Sequence, residues 1–250
     1  MPLRTIVVLL ALLPTSSGPE QAASTEKVSA KTWVGRHQEI EEYLKTAECV
    51  SMKEFAPNYA ARCTFRPGGP IAQMAWRPDR PGVHRGFRES YRTEIAAYEF
   101  DKLLKMDMIP PSVQREVQGI RGAAQQWVEN IIDATGPGPA DAPSRAHWEA
   151  QLAQMAMFDN LIGNGDRNRR TMLRDGAWNL ILIDHARTFG VGNALSHKMT
   201  RIDDEYWARI DALARSQLDA ALGAWLDASE IDAILDRRET MRNEIRLLRK

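Results

Sequence analysis

The sequence FDNLIGNGDRNRRTML, residues 158–173, decides the fold that the chain is predicted to have. It begins as the end of an apolar helical pattern and breaks at Asn164-Gly165, a dipeptide typical of turns. Asp166 stands directly after this turn, where a carboxylate stays within reach of solvent. Asp184 follows 18 residues later, at the end of the apolar run LILID. Because a loop and a strand fill the gap, we predict that the two acids lie side by side.

Two further residues stand where a phosphate-binding site would need them. Arg77 ends the strand-like segment IAQMAWR on the face that it shares with Ala75, and Glu94 lies on the helix that follows. A base and an acid so placed can form an ion pair that keeps the cation in position. Phosphoryl transfer needs such a cation for the phosphates, carboxylates for a divalent metal and an acceptor that orients the nucleophile. The four residues together therefore favour this chemistry.

Each of the four residues has a plainer interpretation when it is taken alone. An Asp after Asn-Gly is most often a turn residue, and an acid at a strand end is often solvated or caps the next helix. Arg77 before Pro78 is compatible with a surface charge, and Glu94 with an exposed helical residue. His185 is interpreted as a loop residue rather than a metal ligand, because no second His stands at ligand spacing. Only the presence of all four residues together, in this order along the chain, favours a phosphate-binding site.

The chain divides into a strand-rich part and a helical part. The first part is predicted to form short strands that are interrupted by Pro and Gly. The amphipathic helix SYRTEIAAYEFDKLLKM follows, and Glu94 and Asp101 lie outside its apolar stripe. The second half is mainly helical, with Ser144 as the cap of its first helix. We predict an α+β protein of two lobes: a small strand-rich N-lobe with the hinge region over 49–130, and a larger helical C-lobe over 131–250. The ligand is expected in the cleft between them.

The composition is that of a soluble globular protein, since 44% of the 250 residues are apolar and 26% are charged. Lys and Arg together number 33, and so do Asp and Glu, so the net charge is zero. This balance argues against a nucleic-acid-binding protein, which usually has a basic excess. Any phosphate binding must therefore come from the local placement of charges.

The N-terminus has the pattern of an export signal. Arg4 is followed by an unbroken apolar run from Ile6 to Leu13 and then by small and polar residues. The run is too short to span a bilayer, which takes about 20 residues, but it fits the apolar region of a signal peptide. We predict a signal peptide over 1–24, an extension over 25–48 and an exported mature chain (secreted, periplasmic or luminal) with no stable membrane span. The alternative is a disordered apolar tail or a membrane-anchoring stub.

The two cysteines, Cys49 and Cys63, are the only ones in the chain. An even count in an oxidising compartment indicates a disulfide, and two ligands without a nearby His are too few for a metal site. If the leader is not a signal peptide, two buried free thiols are the better interpretation. The prediction of a disulfide thus depends on export.

The motifs around the two acids resemble those of a known group of kinases. FDNLIGNGDRN followed by LILIDHARTFG is similar to the catalytic core of atypical kinases with the motifs D-x-L-x-x-N-x-D-R-H and I-D-N-G-x-x-F. MAWRP, YRTEIAAYEFDKLL and IPPSV resemble their small lobe, in which a strand ends in Ala-x-Lys and the next helix carries a Glu. The sequence looks most like the secretory-pathway protein kinases of the Golgi casein kinase and four-jointed type. Phosphoinositide kinases and HipA-like kinases share the layout more distantly.

The resemblance implies a two-lobed protein-kinase-like fold and a role for each matching residue. Asp166 would be the catalytic aspartate that orients the substrate hydroxyl, and Asp184 would bind the metal. Arg77 stands at the position of the phosphate-binding lysine, and Glu94 at that of the helix glutamate that pairs with it. The implied cofactors are ATP and Mg²⁺ or Mn²⁺. The implied partners are a nucleotide and a hydroxyl-bearing substrate, either Ser or Thr of a protein or a sugar.

The chain departs from this pattern at several positions. Arg77 replaces a lysine, and a planar guanidinium is not equivalent to a point charge. Asn168 stands where the family has His. Thr171 stands where an Asn or Glu helps to bind the metal, so Thr171 is the second candidate ligand. RPGGP offers only two glycines in place of a G-x-G-x-x-G loop. These departures leave two alternatives: a pseudokinase that binds a nucleotide or a partner protein without catalysis, and an exported α+β binding protein unrelated to kinases.

Overall fold

The computed structural model describes residues 29–55, 60–80, 82–84 and 87–250. The predicted signal peptide over 1–24 and its cleavage site lie outside these ranges. In chain order the elements are α1 (His37–Thr46), β1 (Cys49–Glu54), β2 (Ala61–Phe65), β3 (Gln73–Pro78), β4 (Val83–His84), β5 (Phe87–Arg88), α2 (Tyr91–Leu104), β6 (Ser112–Val117), β7 (Ile120–Gln126), β8 (Ile132–Asp133), α3 (Ala142–Ile162), β9 (Met172–Arg174), β10 (Leu180–Leu182), α4 (Asp204–Asp211), α5 (Arg215–Leu222) and α6 (Ala228–Leu248).

A five-stranded antiparallel sheet forms the first part of the fold, in the order β1-β2-β3-β7-β6. The alternation predicted for β3 is confirmed, since Met74 and Trp76 are buried while Gln73, Ala75 and Arg77 are partly exposed. The buried face packs with α1 in one hydrophobic core. Because side chains alternate along a strand, Ala75 and Arg77 share the other face of the sheet.

The predicted disulfide between Cys49 and Cys63 is present and joins β1 to β2. The two Cα atoms are 5.8 Å apart, and the half-cystines are separated by 14 residues. A loop of this length contributes about 3 kcal/mol in the chain-entropy account of disulfide stabilisation. The disulfide therefore ties the edge strand of the sheet to its neighbour.

The helix α2 is buried on more sides than its sequence pattern indicates. It begins after Ser90, whose side chain accepts a hydrogen bond from the amide of Arg92. The prediction that Glu94 and Asp101 lie outside its buried stripe is wrong, because their exposed fractions are only 3% and 0%. The reason is that α2 contacts β6 and β7 of the sheet as well as α4 and α5 of the helical part. A helix enclosed from both sides buries acids that periodicity assigns to solvent.

Asp101 is buried with only part of its hydrogen-bonding capacity used. Its Oδ1 accepts the amide of Met108 at 3.0 Å, while Oδ2 has no hydrogen-bond partner among the described residues. Burial raises the pKa of Asp101 to about 7; the Met108 amide opposes the shift, the nearby Asp107 adds to it and Lys31 opposes it. The folded state thus binds the proton more tightly than the unfolded state. The contribution of Asp101 to stability is therefore present in acid and is lost as the pH rises from about 4 to about 7.

Replacing Asp101 by Asn should accordingly stabilise the protein above pH 7, by about 1–4 kcal/mol. The amide keeps an oxygen for Met108 and carries no charge. The midpoint of urea unfolding, measured at pH 4 and at pH 8, should show a gain for the variant that is larger at pH 8. Asp204→Asn, at an exposed acid of α4, serves as the control and should give no such difference. A variant that is no more stable than the wild type at pH 8 would contradict the expectation.

The second part of the fold is mainly helical, with α3, α4, α5 and α6 contributing to one large hydrophobic core. The predicted cap of α3, Ser144, is wrong: Asp141 is the N-cap and accepts the amide of Ser144 at 2.9 Å, since the helix begins at Ala142. A three-stranded sheet in the order β10-β9-β8 lies beside this core. Over the described ranges, no helix is both long and apolar enough to cross a membrane.

Candidate functional site

The loop after α3 presents Asp166 to solvent through two local turns. The helix ends at Gly163, which has the left-handed φ of 65° that favours glycine. The amide of Asn164 then returns to the carbonyl of Asp159 at 2.8 Å. The Oδ1 atom of Asn164 accepts the amide of Asp166 at 3.1 Å, as in an Asx turn. The Asp166 side chain is left 59% exposed at the end of this turn.

A buried ion pair anchors the loop on both sides of Asp166. Arg167 donates from Nε to Oδ2 of Asp159 at 2.8 Å and from Nη2 to Oδ1 at 2.9 Å, and both side chains are almost fully buried. The same guanidinium donates from Nη1 to the carbonyls of Thr171 at 2.7 Å and Ile183 at 3.1 Å. Arg167 therefore joins the end of α3, the Asp166 loop and the residue before Asp184.

Asp184 lies two residues after the end of β10, in a left-handed conformation with φ of 63°. The next residue, His185, donates its amide to Oε2 of Glu94 at 2.9 Å, and its carbonyl accepts the hydroxyl of Thr93 at 2.9 Å. His185 is fully buried. These two bonds attach the end of β10 to α2, and the reversal at Asp184 leaves its carboxylate 46% exposed.

Arg77 brings three of the four predicted residues into one cluster. Its Nε lies 3.0 Å from Oε1 of Glu94, and its Nη2 lies 2.8 Å from Oδ1 of Asp184. Burial alone would raise the pKa of Glu94, but the charge of Arg77 and the hydrogen bonds from His185 keep it at about 2. Glu94 is therefore ionised at neutral pH and fixes the guanidinium beside Asp184.

Asp166 is linked to this cluster by two residues that were not predicted from the sequence. Arg187 lies 3.2 Å from Oδ2 of Asp166 through Nη1, and it donates to Oε1 of Glu89 from Nε at 3.0 Å and from Nη2 at 2.7 Å. Glu89 also lies 3.7 Å from Nη1 of Arg77. In the sequence, only their positions point to the site: Arg187 follows Asp184 by three residues, and Glu89 directly precedes the N-cap of α2.

Thr171 uses its hydroxyl within the loop. Its Oγ1 donates to the carbonyl of Asn168 at 3.1 Å and accepts the amide of the same residue at 3.1 Å. Its backbone carbonyl accepts the amide of Ile183 at 3.2 Å, so Thr171 lies beside the strand that leads to Asp184. Its role as a metal ligand remains a prediction, and it would require the hydroxyl to exchange these partners.

A cavity of about 320 Å³ extends from the charged cluster along the sheet. Arg77, Glu94 and Asp184 form part of its wall. The rest is mostly apolar and aromatic, with side chains from β3, β7 and β9 and from the segment that follows β7. An apolar compartment that ends at a cluster of charges can hold a ligand with one apolar end and one charged end.

The oxygen ligands in the cluster suit a hard divalent cation. Mg²⁺ is usually bound by one or two carboxylates together with substrate phosphates and water. Asp184 offers one partly exposed carboxylate at the cavity wall, and Glu94 and Glu89 lie in the same cluster. In the part of the chain that the structure describes, no three His, Cys, Asp or Glu side chains converge as a ready ligand set. The residues present fit a cation whose remaining ligands come from a phosphate group.

Comparisons with known proteins identify the fold. No protein-family profile matches the sequence, and no curated protein matches it. Among solved structures, hydra Fam20 with sugar is similar with a TM-score of 0.66 and 15% identity, over 85% of this chain and 88% of that one. The Golgi casein kinase with Mn/ADP bound is similar with a TM-score of 0.61 and 13% identity, over 83% of this chain and 75% of that one. A second structure of the Golgi casein kinase is similar with a TM-score of 0.60 and 13% identity, over 85% of this chain and 75% of that one.

At such low identity these likenesses concern the fold alone. Each covers more than four fifths of this chain, so they include both the sheet and the helical part. The predicted α+β architecture and the predicted resemblance are confirmed: the chain has an atypical protein-kinase-like fold, close to that of the secretory-pathway kinases.

Proposed function

We propose that the protein is an exported phosphotransferase that moves the γ-phosphate of ATP to a hydroxyl group of a protein or a sugar. One observation carries the proposal. Arg77, Glu94 and Asp184, from three separate segments, meet at the wall of one cavity, and Arg187 links Asp166 to them. A structural ion-pair cluster would not need to lie at the end of an apolar cavity, whereas a phosphate-binding cluster would.

The cavity provides a place for each part of the donor nucleotide. The base would lie in the apolar part. The phosphates would reach Arg77, whose Nη1 and Nη2 atoms keep three N–H donors beyond the pairs with Glu94 and Asp184. Glu94 would keep Arg77 oriented, because it is ionised and bonded to Nε. The solved structure of the Golgi casein kinase contains Mn/ADP, which supports a nucleotide and a divalent cation as the ligands of this fold.

The acids would have separate tasks. Asp184, with Thr171 as a second candidate, would bind Mg²⁺ or Mn²⁺, which supplies positive charge to the β- and γ-phosphates. Asp166 would accept a hydrogen bond from the hydroxyl of the acceptor and receive its proton as the oxygen attacks. The exposed position of Asp166 supports this task, since a substrate from solvent can reach its carboxylate.

Export and domain division are further parts of the proposal. The disulfide between β1 and β2 supports an oxidising compartment, as the apolar leader does. The strand-rich lobe is proposed to cover 49–130 and the helical lobe 131–250, with the donor bound between them. The acceptor is proposed to be a protein hydroxyl or a sugar, and hydra Fam20, solved with sugar, supports the second class.

Nucleotide binding can be tested by thermal shift. Saturation with ATP and Mn²⁺ at about 100 times the dissociation constant should add about 2.7 kcal/mol to stability and raise Tm by roughly 5–10 °C. Asp184→Asn should lose most of the increment that Mn²⁺ adds to ATP, because it removes the carboxylate that would bind the metal. Asp219→Asn, at an exposed acid of α5, is the matched control and should keep the full increment.

The outcomes separate the alternatives. No shift with any combination of nucleotide and metal would contradict the proposal and its pseudokinase form alike. A full increase in Tm, without transfer of the labelled γ-phosphate of ATP to the protein itself or to water, would favour the pseudokinase. A metal increment that survives Asp184→Asn would remove Asp184 from the metal site while leaving nucleotide binding in place.

A further inference from the structure

Gln125 lies on the cavity wall, on the strand that neighbours the one carrying the predicted phosphate-binding residue Arg77. In the register of β3 and β7, Gln125 pairs with Ala75, and Arg77 pairs with Ala123. Since side chains two residues apart share a face, Gln125 is on the same face of the sheet as Arg77. It lines the cavity and is partly exposed. Gln125 is therefore an uncharged polar side chain in the compartment proposed for the base.

The orientation of the Gln125 amide is fixed by a buried serine. Nε2 of Gln125 lies 2.8 Å from Oγ of Ser112, which is fully buried. The hydroxyl of Ser112 donates to the carbonyl of Pro110 at 3.1 Å. A hydroxyl has one proton to donate, so Oγ can only accept from Gln125 while that bond exists. Turning the amide over would take the proton from the Pro110 carbonyl and leave a buried acceptor unpaired, which is unfavourable.

With Nε2 held by Ser112, the carbonyl oxygen of Gln125 is left as an acceptor. Among the described residues, Oε1 has no hydrogen-bond partner. We propose that Oε1 of Gln125 accepts a hydrogen bond from the exocyclic amino group of the nucleotide base and thereby selects a 6-aminopurine over a 6-oxopurine. Adenine carries a donor at that position. Guanine carries a carbonyl oxygen at the same position. Two acceptors cannot form a hydrogen bond, so this oxygen would be repelled by Oε1.

This inference rests on the proposed function, since it assumes that the cavity binds a nucleotide. It adds that Gln125 sets the identity of the base and that Ser112 acts through it as a positioning residue. Ser112 does not line the cavity and would act only by fixing which end of the amide is presented. The distinction matters for testing, because the two residues should affect ATP and GTP differently.

The test compares dissociation constants of ATP and GTP, each with Mn²⁺, by calorimetric titration. The two nucleotides share the triphosphate, so their ratio reports on the base alone. The wild type should prefer ATP by about tenfold or more. Gln125→Met keeps the length of the side chain but offers neither donor nor acceptor, so ATP binding should weaken, GTP binding should improve because the contact between two acceptors is lost, and the ratio should fall to about one. Ser112→Ala frees the amide to turn, so GTP binding should improve and the ratio should fall towards one.

The control is Gln114→Met, which removes a glutamine from the neighbouring strand β6 at a position outside the cavity. It should leave the ATP-to-GTP ratio at its wild-type value. Equal binding of ATP and GTP by the wild type would overturn the inference and leave the proposed function standing, as would a ratio that persists in Gln125→Met. Should Ser112→Ala fail to fold, Gln125→Met decides alone. Absence of binding for both nucleotides would instead overturn the proposed function and this inference together.

Discussion

Replacing Asp166 by Ala should lower phosphoryl transfer by about a thousandfold while leaving nucleotide binding and stability close to the wild type. The acid is proposed to orient the acceptor hydroxyl and to take its proton, and removal of such a group costs on the order of 10²–10⁴ in rate. The fold should tolerate the change, because the Asp166 side chain is 59% exposed and its backbone bond to Asn164 does not involve the carboxylate.

The measurement should not depend on the unknown acceptor. Release of ADP from ATP with water as acceptor, and incorporation of label into the protein itself, both report on transfer. Asp166→Asn is the closer variant, since it keeps the shape and a contact to Arg187 but cannot take a proton; it should be nearly as inactive. Arg209→Ala, at an arginine of α4 that pairs with Glu205, serves as the control and should retain activity. Transfer that survives in Asp166→Ala would exclude the catalytic role.

Much of this site could be predicted from the sequence, because the turn before Asp166 and the strand end before Asp184 are each specified by a few adjacent residues. Asn164-Gly165 before an acid, and an apolar run that ends in Asp184, each specify a turn or a strand end over a few residues. The alternation in β3 likewise assigned Arg77 to the correct face. From such local elements, the meeting of Arg77, Glu94 and Asp184 could be predicted once the motifs were ordered as in the kinase-like fold.

The parts that could not be predicted depend on contacts between distant segments. Arg187 and Glu89 are separated by 98 residues, and neither has a local pattern that distinguishes it from other surface charges. Glu94 and Asp101 were assigned to the exposed side of α2, because periodicity describes one buried face and not a helix enclosed from two sides. Thr171 was chosen by alignment with a ligand position, but the direction of its hydroxyl is set by its bonds to Asn168.

Asp159 and Arg167 are a further pair whose burial could not be predicted from the sequence. Both residues belong to the motif that carried the resemblance, yet no role was predicted for either of them from the sequence. The structure shows them almost completely buried, with two parallel hydrogen bonds between them. The Arg167 guanidinium also donates to two backbone carbonyls. The arginine that follows Asp166 therefore holds the loop together, and its removal should have consequences for stability as well as for activity.

Arg167→Met should destabilise the protein by about 3–5 kcal/mol, because it leaves the Asp159 carboxylate buried without its counter-ion. The loss corresponds to a decrease in Tm of roughly 6–20 °C for a chain of this size. The carbonyls of Thr171 and Ile183 lose a donor at the same time, so the Asp166 loop should also loosen relative to Asp184. Chemical unfolding in urea gives the free energy, and nucleotide-dependent transfer by the folded fraction gives the effect on the site.

The control is Arg215→Met, at an arginine of α5 whose ion pairs with Asp219 and Asp232 are exposed to solvent. Exposed pairs are worth about 0–1 kcal/mol, so this variant should unfold close to the wild type. The double variant Arg167→Met with Asp159→Leu removes both charges and should recover part of the loss, because the buried unpaired carboxylate is gone. A loss for Arg167→Met no larger than that for Arg215→Met would mean that Asp159 finds water or another partner. Arg167 would then be a local contact of the loop rather than the residue that joins Asp166 to Asp184.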